Sequence, residues 1–71
     1  RSNVIEPGWT DTPGERQFTS EEDMKTEGAK LPWGRLATPE EIANAATFLC
    51  SSAAEYITGS ALRVDGGFCL R

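Results

Sequence analysis

The chain reads as an α/β fold built on a strand–helix–strand unit with two parallel strands. Three features carry that reading. An apolar, β-branched run stops at a proline–glycine turn, one strongly capped helix has a clear apolar face, and a late run of alternating apolar residues stops at a glycine pair. The order strand, long excursion, helix, strand is that of a βαβ unit with a right-handed crossover.

Asn3-Val4-Ile5 is the first apolar run, and a strand is expected over residues 2–6, ended by Pro7-Gly8. Residues 7–19, with Pro7, Gly8, Pro13 and Gly14 among Thr and Asp, are expected to be loop without a regular element. Thr19-Ser20-Glu21-Glu22 then starts a helix, with Thr19 as the cap and Glu22 reaching back to it. Up to Ala29 this helix has Met24 almost alone as an apolar residue, the composition of a surface or lid element. Residues 30–37 are loop again, broken by Pro32 and Gly34.

Thr38-Pro39-Glu40-Glu41 joins a capping box to a proline at the first helical position. Ile42, Ala45, Ala46 and Leu49 follow at i, i+3, i+4 and i+7, with Phe48 and Cys50 widening the face. The spacing predicts a helix from about Pro39 to about Ser51. Residues 53–56 form a short turn before Gly59, and Leu62 and Val64 alternate in a strand that stops at Gly66-Gly67. The chain is thus expected to be one partial domain over residues 1–71: strand 2–6, loop and lid 7–37, helix 38–52 and strand 60–65. Two parallel strands and one good helix cannot cover both faces of a sheet. The bare face and edge therefore call for the rest of a larger domain or another copy of the chain.

Composition narrows the function. A chain of 71 residues buries only about 60% of the surface its unfolded form exposes, a thin margin. The net charge of −4 and seven scattered basic residues argue against a nucleic-acid partner, which needs clustered Lys and Arg. No run of 18 apolar residues is present to span a membrane, and the start has no signal-peptide pattern. A cytoplasmic protein with reduced thiols is the expectation. The chain has no histidine, and two distant cysteines, Cys50 and Cys69, make neither a zinc site nor a disulfide framework. It begins without an initiator Met in what reads as a strand, which suits a piece of something longer.

Ligands of open parallel sheets bind outside the carboxyl ends of the strands, which directs attention to Pro7-Gly8-Trp9-Thr10-Asp11-Thr12. A glycine there lets backbone approach a flat ring or a phosphate. Amide N–H groups and the hydroxyls of Thr10 and Thr12 can bond a carboxamide or phosphate, and Trp9 can wall a pocket. The competing reading is a tight turn whose hydroxyls bond their own backbone. Glu21, Glu22, Asp23 and Glu27 suit the solvated first turns of a helix better than a carboxylate site. Cys50 reads as a small core residue, and Cys69, with no base near it in the sequence, as no nucleophile. Phe18, Trp33 and Phe68 line an apolar substrate site or anchor loops; anchoring is the expectation for Trp33 and Phe68.

Asn3-Val4-Ile5-Glu6-Pro7-Gly8, with Thr12 four residues beyond Gly8, is similar to the Asn-x-x-x-Pro-Gly-x-x-x-Thr stretch of the short-chain dehydrogenases/reductases. Pro39-Glu40-Glu41-Ile42-Ala43, Phe48-Leu49, Tyr56-Ile57-Thr58-Gly59 and Val64-Asp65-Gly66-Gly67 resemble later motifs of that family, in its order and spacing. The resemblance implies the carboxyl-terminal βαβ portion of a Rossmann-type doubly wound parallel sheet, with a helical lid inserted between the strands. It implies an NAD- or NADP-dependent oxidoreductase moving hydride between nicotinamide and an alcohol or carbonyl substrate. It places Pro7, Gly8, Trp9 and Thr12 at the cofactor, and makes the last helix and strand a subunit interface of a homo-oligomer or a surface packed against an amino-terminal portion. Glu6, where many members carry a small apolar residue, departs from the pattern. The family's glycine-rich phosphate loop, Asn-Ala-Gly turn and catalytic Ser and Tyr-x-x-x-Lys are not in this sequence. No catalytic residue is therefore assigned, and the chain alone is not expected to turn over substrate.

Overall fold

A computed structural model describes residues 1–70. Two strands, β1 (Val4–Pro7) and β2 (Ala61–Val64), enclose three helices in the sequence: α1 (Pro13–Arg16), α2 (Glu21–Ala29) and α3 (Pro39–Cys50). Single 3-10 turns follow α3 at Ser52–Ala54 and β2 at Phe68–Leu70.

The strands are parallel, with Val4 opposite Ala61 and Pro7 opposite Val64. Val4 N–H donates to Ser60 O and Gly8 N–H to Val64 O, both at 2.9 Å. Alternate residues therefore face β2, and Pro7 falls out of phase, where its missing N–H is not needed for this ladder. The register is held from outside the ladder by Asn3. Its Nδ2 donates to Ile57 O at 3.1 Å, and its Oδ1 accepts from Ser60 N–H at 2.9 Å. Gly59 N–H adds a bond to Ser2 O at 2.8 Å.

Side chains alternate across the pleat, so Ile5, Leu62 and Val64 share one face while Val4, Glu6, Ala61 and Arg63 share the other. Helix α3 packs on the first face, where Ile5, Ala46 and Leu49 line one groove. The second face is open: Val4 is 58% exposed, and Glu6 approaches Arg63 across it at 3.8 Å.

Helix α3 starts where its capping signals lie. Glu41 N–H donates to Thr38 Oγ1 at 3.2 Å, and Thr38 N–H donates to Glu41 Oε1 at 2.9 Å. It ends at Cys50 because Ser51 is extended. Its buried face is narrower than the apolar composition suggests. Leu49 is buried, whereas Phe48 is 44% exposed and Cys50 is exposed, so Cys50 is not a core residue. A helix turns about 100° per residue, which sends Phe48 and Cys50 to either side of Leu49 and off the sheet.

Two expectations for residues 7–29 need correction. The stretch 7–19 does contain a regular element, the single-turn helix α1, because Thr12 Oγ1 accepts from Glu15 N–H at 3.1 Å and Pro13 stands at its first position. Helix α2 is capped by Ser20, not Thr19: Ser20 Oγ accepts from Asp23 N–H at 3.1 Å, while Thr19 N–H completes the end of α1 on Glu15 O. The residue three past the cap is then Asp23, too short to reach back as Glu does in a capping box. Sparse as its apolar residues are, α2 buries Met24 and Gly28. A Cβ at Gly28 would lie 3.0 Å from Leu36 N, so the helix lies directly on the backbone of the segment that leads into α3.

Arg35 forks onto Glu41, with Nη1 to Oε1 at 2.8 Å and Nη2 to Oε2 at 2.9 Å. The Arg35 guanidinium and the Thr38 N–H hold the Glu41 carboxyl down at about 2, well below the ordinary 4.5. A depressed carboxyl contributes stability above its ordinary pKa and loses it as pH falls towards the folded value. Protection of the first-turn amides of α3 relative to their intrinsic exchange rates should therefore fall between pH 4.5 and about 2, and Glu41→Gln should flatten that dependence. Asn3→Asp keeps an acceptor for Ser60 N–H but sets a carboxylate against Ile57 O. A denaturation midpoint lowered by about 1–3 kcal/mol of stability is expected, and an unchanged midpoint would show that the register does not rest on Asn3.

Candidate functional site

The chain leaves β1 into a bend, residues 7–12, at the carboxyl ends of both strands. Gly8 lies so close to the end of β2 that a Cβ there would sit 2.7 Å from Asp65 Cα and 2.9 Å from Asp65 Cβ. Only a glycine fits that approach. The bend then runs beside the segment entering α3: Ala37 N–H donates to Trp9 O at 3.1 Å, and Asp11 N–H donates to Ala37 O at 2.9 Å. Arg16 clamps its far end, with Nε to Asp11 Oδ1 and Nη2 to Asp11 Oδ2, both at 2.8 Å. The hydrogen bonds from Arg16 hold the Asp11 carboxyl below its ordinary value against a smaller opposing effect of burial.

Two clefts flank the bend. One, of about 460 Å³, is lined by Glu6, Pro7, Gly8, Trp9 and Phe68. The other, of about 500 Å³, is lined by Trp9, Pro32, Trp33, Gly66 and Leu70. Trp9, Leu31, Arg63 and Asp65 border both. Trp33 and Phe68 line these clefts with their side chains partly exposed, Trp33 lying against Gly66, and Phe18 is 88% exposed.

The bend carries open donors. Its intrachain bonds use the amides of Gly8 and Asp11 and leave those of Trp9, Thr10 and Thr12 without an acceptor among the described residues. The Trp9 indole N–H is buried and has no hydrogen-bond partner among the described residues. Both threonine hydroxyls bond local backbone: Thr10 Oγ1 donates to Gly8 O at 3.1 Å, and Thr12 Oγ1 accepts the cap of α1. That is the tight-turn behaviour, though Thr12 accepts in its bond and retains a proton to donate. Pro7, Gly8 and Trp9 come together at one cleft; Thr12 borders neither. A donor set of this kind suits a planar carboxamide laid against the bend, so the residues present fit the nicotinamide end of a dinucleotide.

Asp65 is a part of the site that the sequence reading named only within a motif. Its side chain is 11% exposed, its Oδ1 accepts from Gly67 N–H at 3.0 Å and its Oδ2 from Cys69 N–H at 3.3 Å. Burial pushes its carboxyl up, but hydrogen bonds from Cys69 and Gly67, with Arg63 nearby, outweigh that and hold it below the ordinary value. The available clue was Gly8 itself, a position that demands something close by.

The strand–helix–strand pattern with parallel strands is that of a Rossmann-type α/β sheet. A family model described as Enoyl-(Acyl carrier protein) reductase matches residues 1–69. The chain is 48% identical over 68 residues to the 3-oxoacyl-[acyl-carrier-protein] reductase of Chlamydia muridarum, covering 94% of this chain and 27% of that protein. It is 45% identical over 69 residues to cis-4-hydroxycyclohexanecarboxylate dehydrogenase of Sinomonas cyclohexanicum, covering 96% and 27%. Among solved structures, the ligand-free aldohexose dehydrogenase of Thermoplasma acidophilum matches the whole chain with a TM-score of 0.87 and 34% identity, over 32% of that protein. The chain belongs to the short-chain dehydrogenase/reductase family of oxidoreductases and corresponds to its carboxyl-terminal segment. It spans 27% of the length of these curated relatives.

Gly8→Ala tests the close approach. Its methyl meets backbone, which cannot rotate away, and overpacking of this kind costs about 1–3 kcal/mol. A lowered denaturation midpoint is expected, and a neutral substitution would mean that the bend stands off from β2.

Proposed function

We propose that the chain is the carboxyl-terminal part of an NAD(P)-dependent oxidoreductase that moves hydride between the cofactor and an alcohol or carbonyl substrate. The observation that best supports this is the bend at residues 7–12, with its open donors, at the carboxyl ends of paired parallel strands. NAD(P), when bound, supplies or accepts the hydride. Gly8 leaves the backbone free to lie against the flat ring, and Pro7 stiffens the chain entering the bend. Trp9 walls the pocket, and the N–H groups of the bend with the Thr12 hydroxyl hold the carboxamide. Residues 7–37, carrying α1 and α2, form the lid over the substrate. Helix α3 and β2 build a subunit contact in a cytoplasmic homo-oligomer.

The sequence contains no Tyr-x-x-x-Lys and no glycine-rich phosphate loop. In this reading the proton donor and the pyrophosphate contacts come from other residues of the complete protein, and the segment alone is inactive. A second reading, a self-associating module without redox activity, draws support from exposed Phe18, Trp33 and Leu70.

Fluorescence titration with NADH and NADPH separates the two. The complete protein should bind one of them, and the 71-residue chain should bind at least about 100-fold more weakly, a gap of about 2.8 kcal/mol. Equal, tight binding by the 71-residue chain would overturn the division of labour. A folded complete protein that binds neither nucleotide would overturn the oxidoreductase reading.

A further inference from the structure

We infer that Asp65 is a positioning residue for the nicotinamide-facing bend, its carboxylate folding the turn after β2 into a floor on which Gly8 rests. The inference deepens the proposed function and rests on it.

Gly8 and Asp65 meet with no slack, since even a methyl at position 8 would overlap the Asp65 backbone. Wherever the turn at 65–70 goes, the bend must follow. Three things determine where that turn goes. Gly66 adopts φ +62, and a Cβ on it would fall 2.9 Å from Trp33 Cβ, so the turn is pressed against the segment entering α3 on its other side. Backbone bonds from Phe68 N–H to Asp65 O at 3.1 Å and from Leu70 N–H to Gly67 O at 2.8 Å close it as a 3-10 turn. The Asp65 carboxylate then takes the two amides between them, Gly67 and Cys69, and also engages the Cys69 side chain.

This carboxylate accepts from two amides of its own turn and has Arg63 Nε at 3.9 Å, which leaves it no role as a proton shuttle or a cation ligand. Its use is mechanical. Removing it strands two amides, loosens the turn and weakens the support under Gly8. The Asp65 carboxylate beside it pushes the Cys69 thiol above its ordinary value, and a hydroxyl at position 69 can donate to that carboxylate where a methyl cannot.

The test uses the complete protein and two probes, the reduced nucleotide (NADH or NADPH) and ADP-ribose or its 2′-phosphate, which lack nicotinamide. Asp65→Asn retains one acceptor and turns an NH₂ towards the Cys69 donors. It should weaken reduced-nucleotide binding about tenfold and leave ADP-ribose binding within about twofold, since the lost support lies under the nicotinamide alone. Cys69→Ser should match the parent, and Cys69→Ala should fall between, at about threefold. Equal weakening of both probes would mark a general loosening and overturn the inference, as would unchanged binding of both. If Asp65→Asn fails to fold, the Cys69 pair decides: identical nucleotide affinities for Ser and Ala at position 69 overturn it. A parent protein that binds ADP-ribose but gains nothing from nicotinamide fails at the cofactor reading itself, before any variant is compared.

Discussion

One side chain sets the geometry on which the rest depends. The Asn3 carboxamide gives a proton to Ile57 O and takes one from Ser60 N–H, closing a bridge between residues more than fifty positions apart. A parallel pair has no hairpin to define its register, and here Asn3 does that job. Once Asn3 is seated, Pro7 must stand opposite Val64 and Gly8 must arrive over Asp65. A slip of one residue would reverse every side chain between the two faces and bring a residue other than Gly8 against Asp65.

The apolar core is small. Met24, Leu36, Leu49 and Ala54 are the buried hydrophobic residues among those described. Order around the bend comes instead from directed polar contacts: the Arg16 fork on Asp11, the Arg35 fork on Glu41, and the carboxylate of Asp65 within its turn. Forked arginine contacts fix angle as well as distance, so they specify shape even where solvent screening keeps their contribution to stability low. The bare sheet face carrying Val4, Glu6, Ala61 and Arg63 agrees with a segment that spans a quarter to a third of the length of its relatives.

Legibility in the sequence followed the range of the interactions. The α3 start was readable because its cap, its proline and its Glu41 lie within four residues, and the parallel strands because their order and spacing admit little else. The same local logic misplaced the α2 cap by one residue, since Thr19 and Ser20 are equivalent as cappers and only the end of α1 decides between them. Helix α1 was hidden because its Thr-Pro start also suits a loop, and its single turn has no apolar period to betray it. Phe48 and Cys50 were assigned to a face by being apolar, where angle governs. At the bend, Pro7, Gly8 and Trp9 were visible as a turn after a strand end, but Asp65 was not, because its role arises from contact with a residue 57 positions earlier.

That separation has a kinetic meaning. Contacts distant along the chain form only after a large loop has closed, and such closures are slow. Helix α3 can nucleate from its own dozen residues, whereas β1 has nothing to hold it until β2 and the turn beyond it exist. The bend therefore matures after α3, and during synthesis it waits for β2 and the turn beyond it to leave the ribosome.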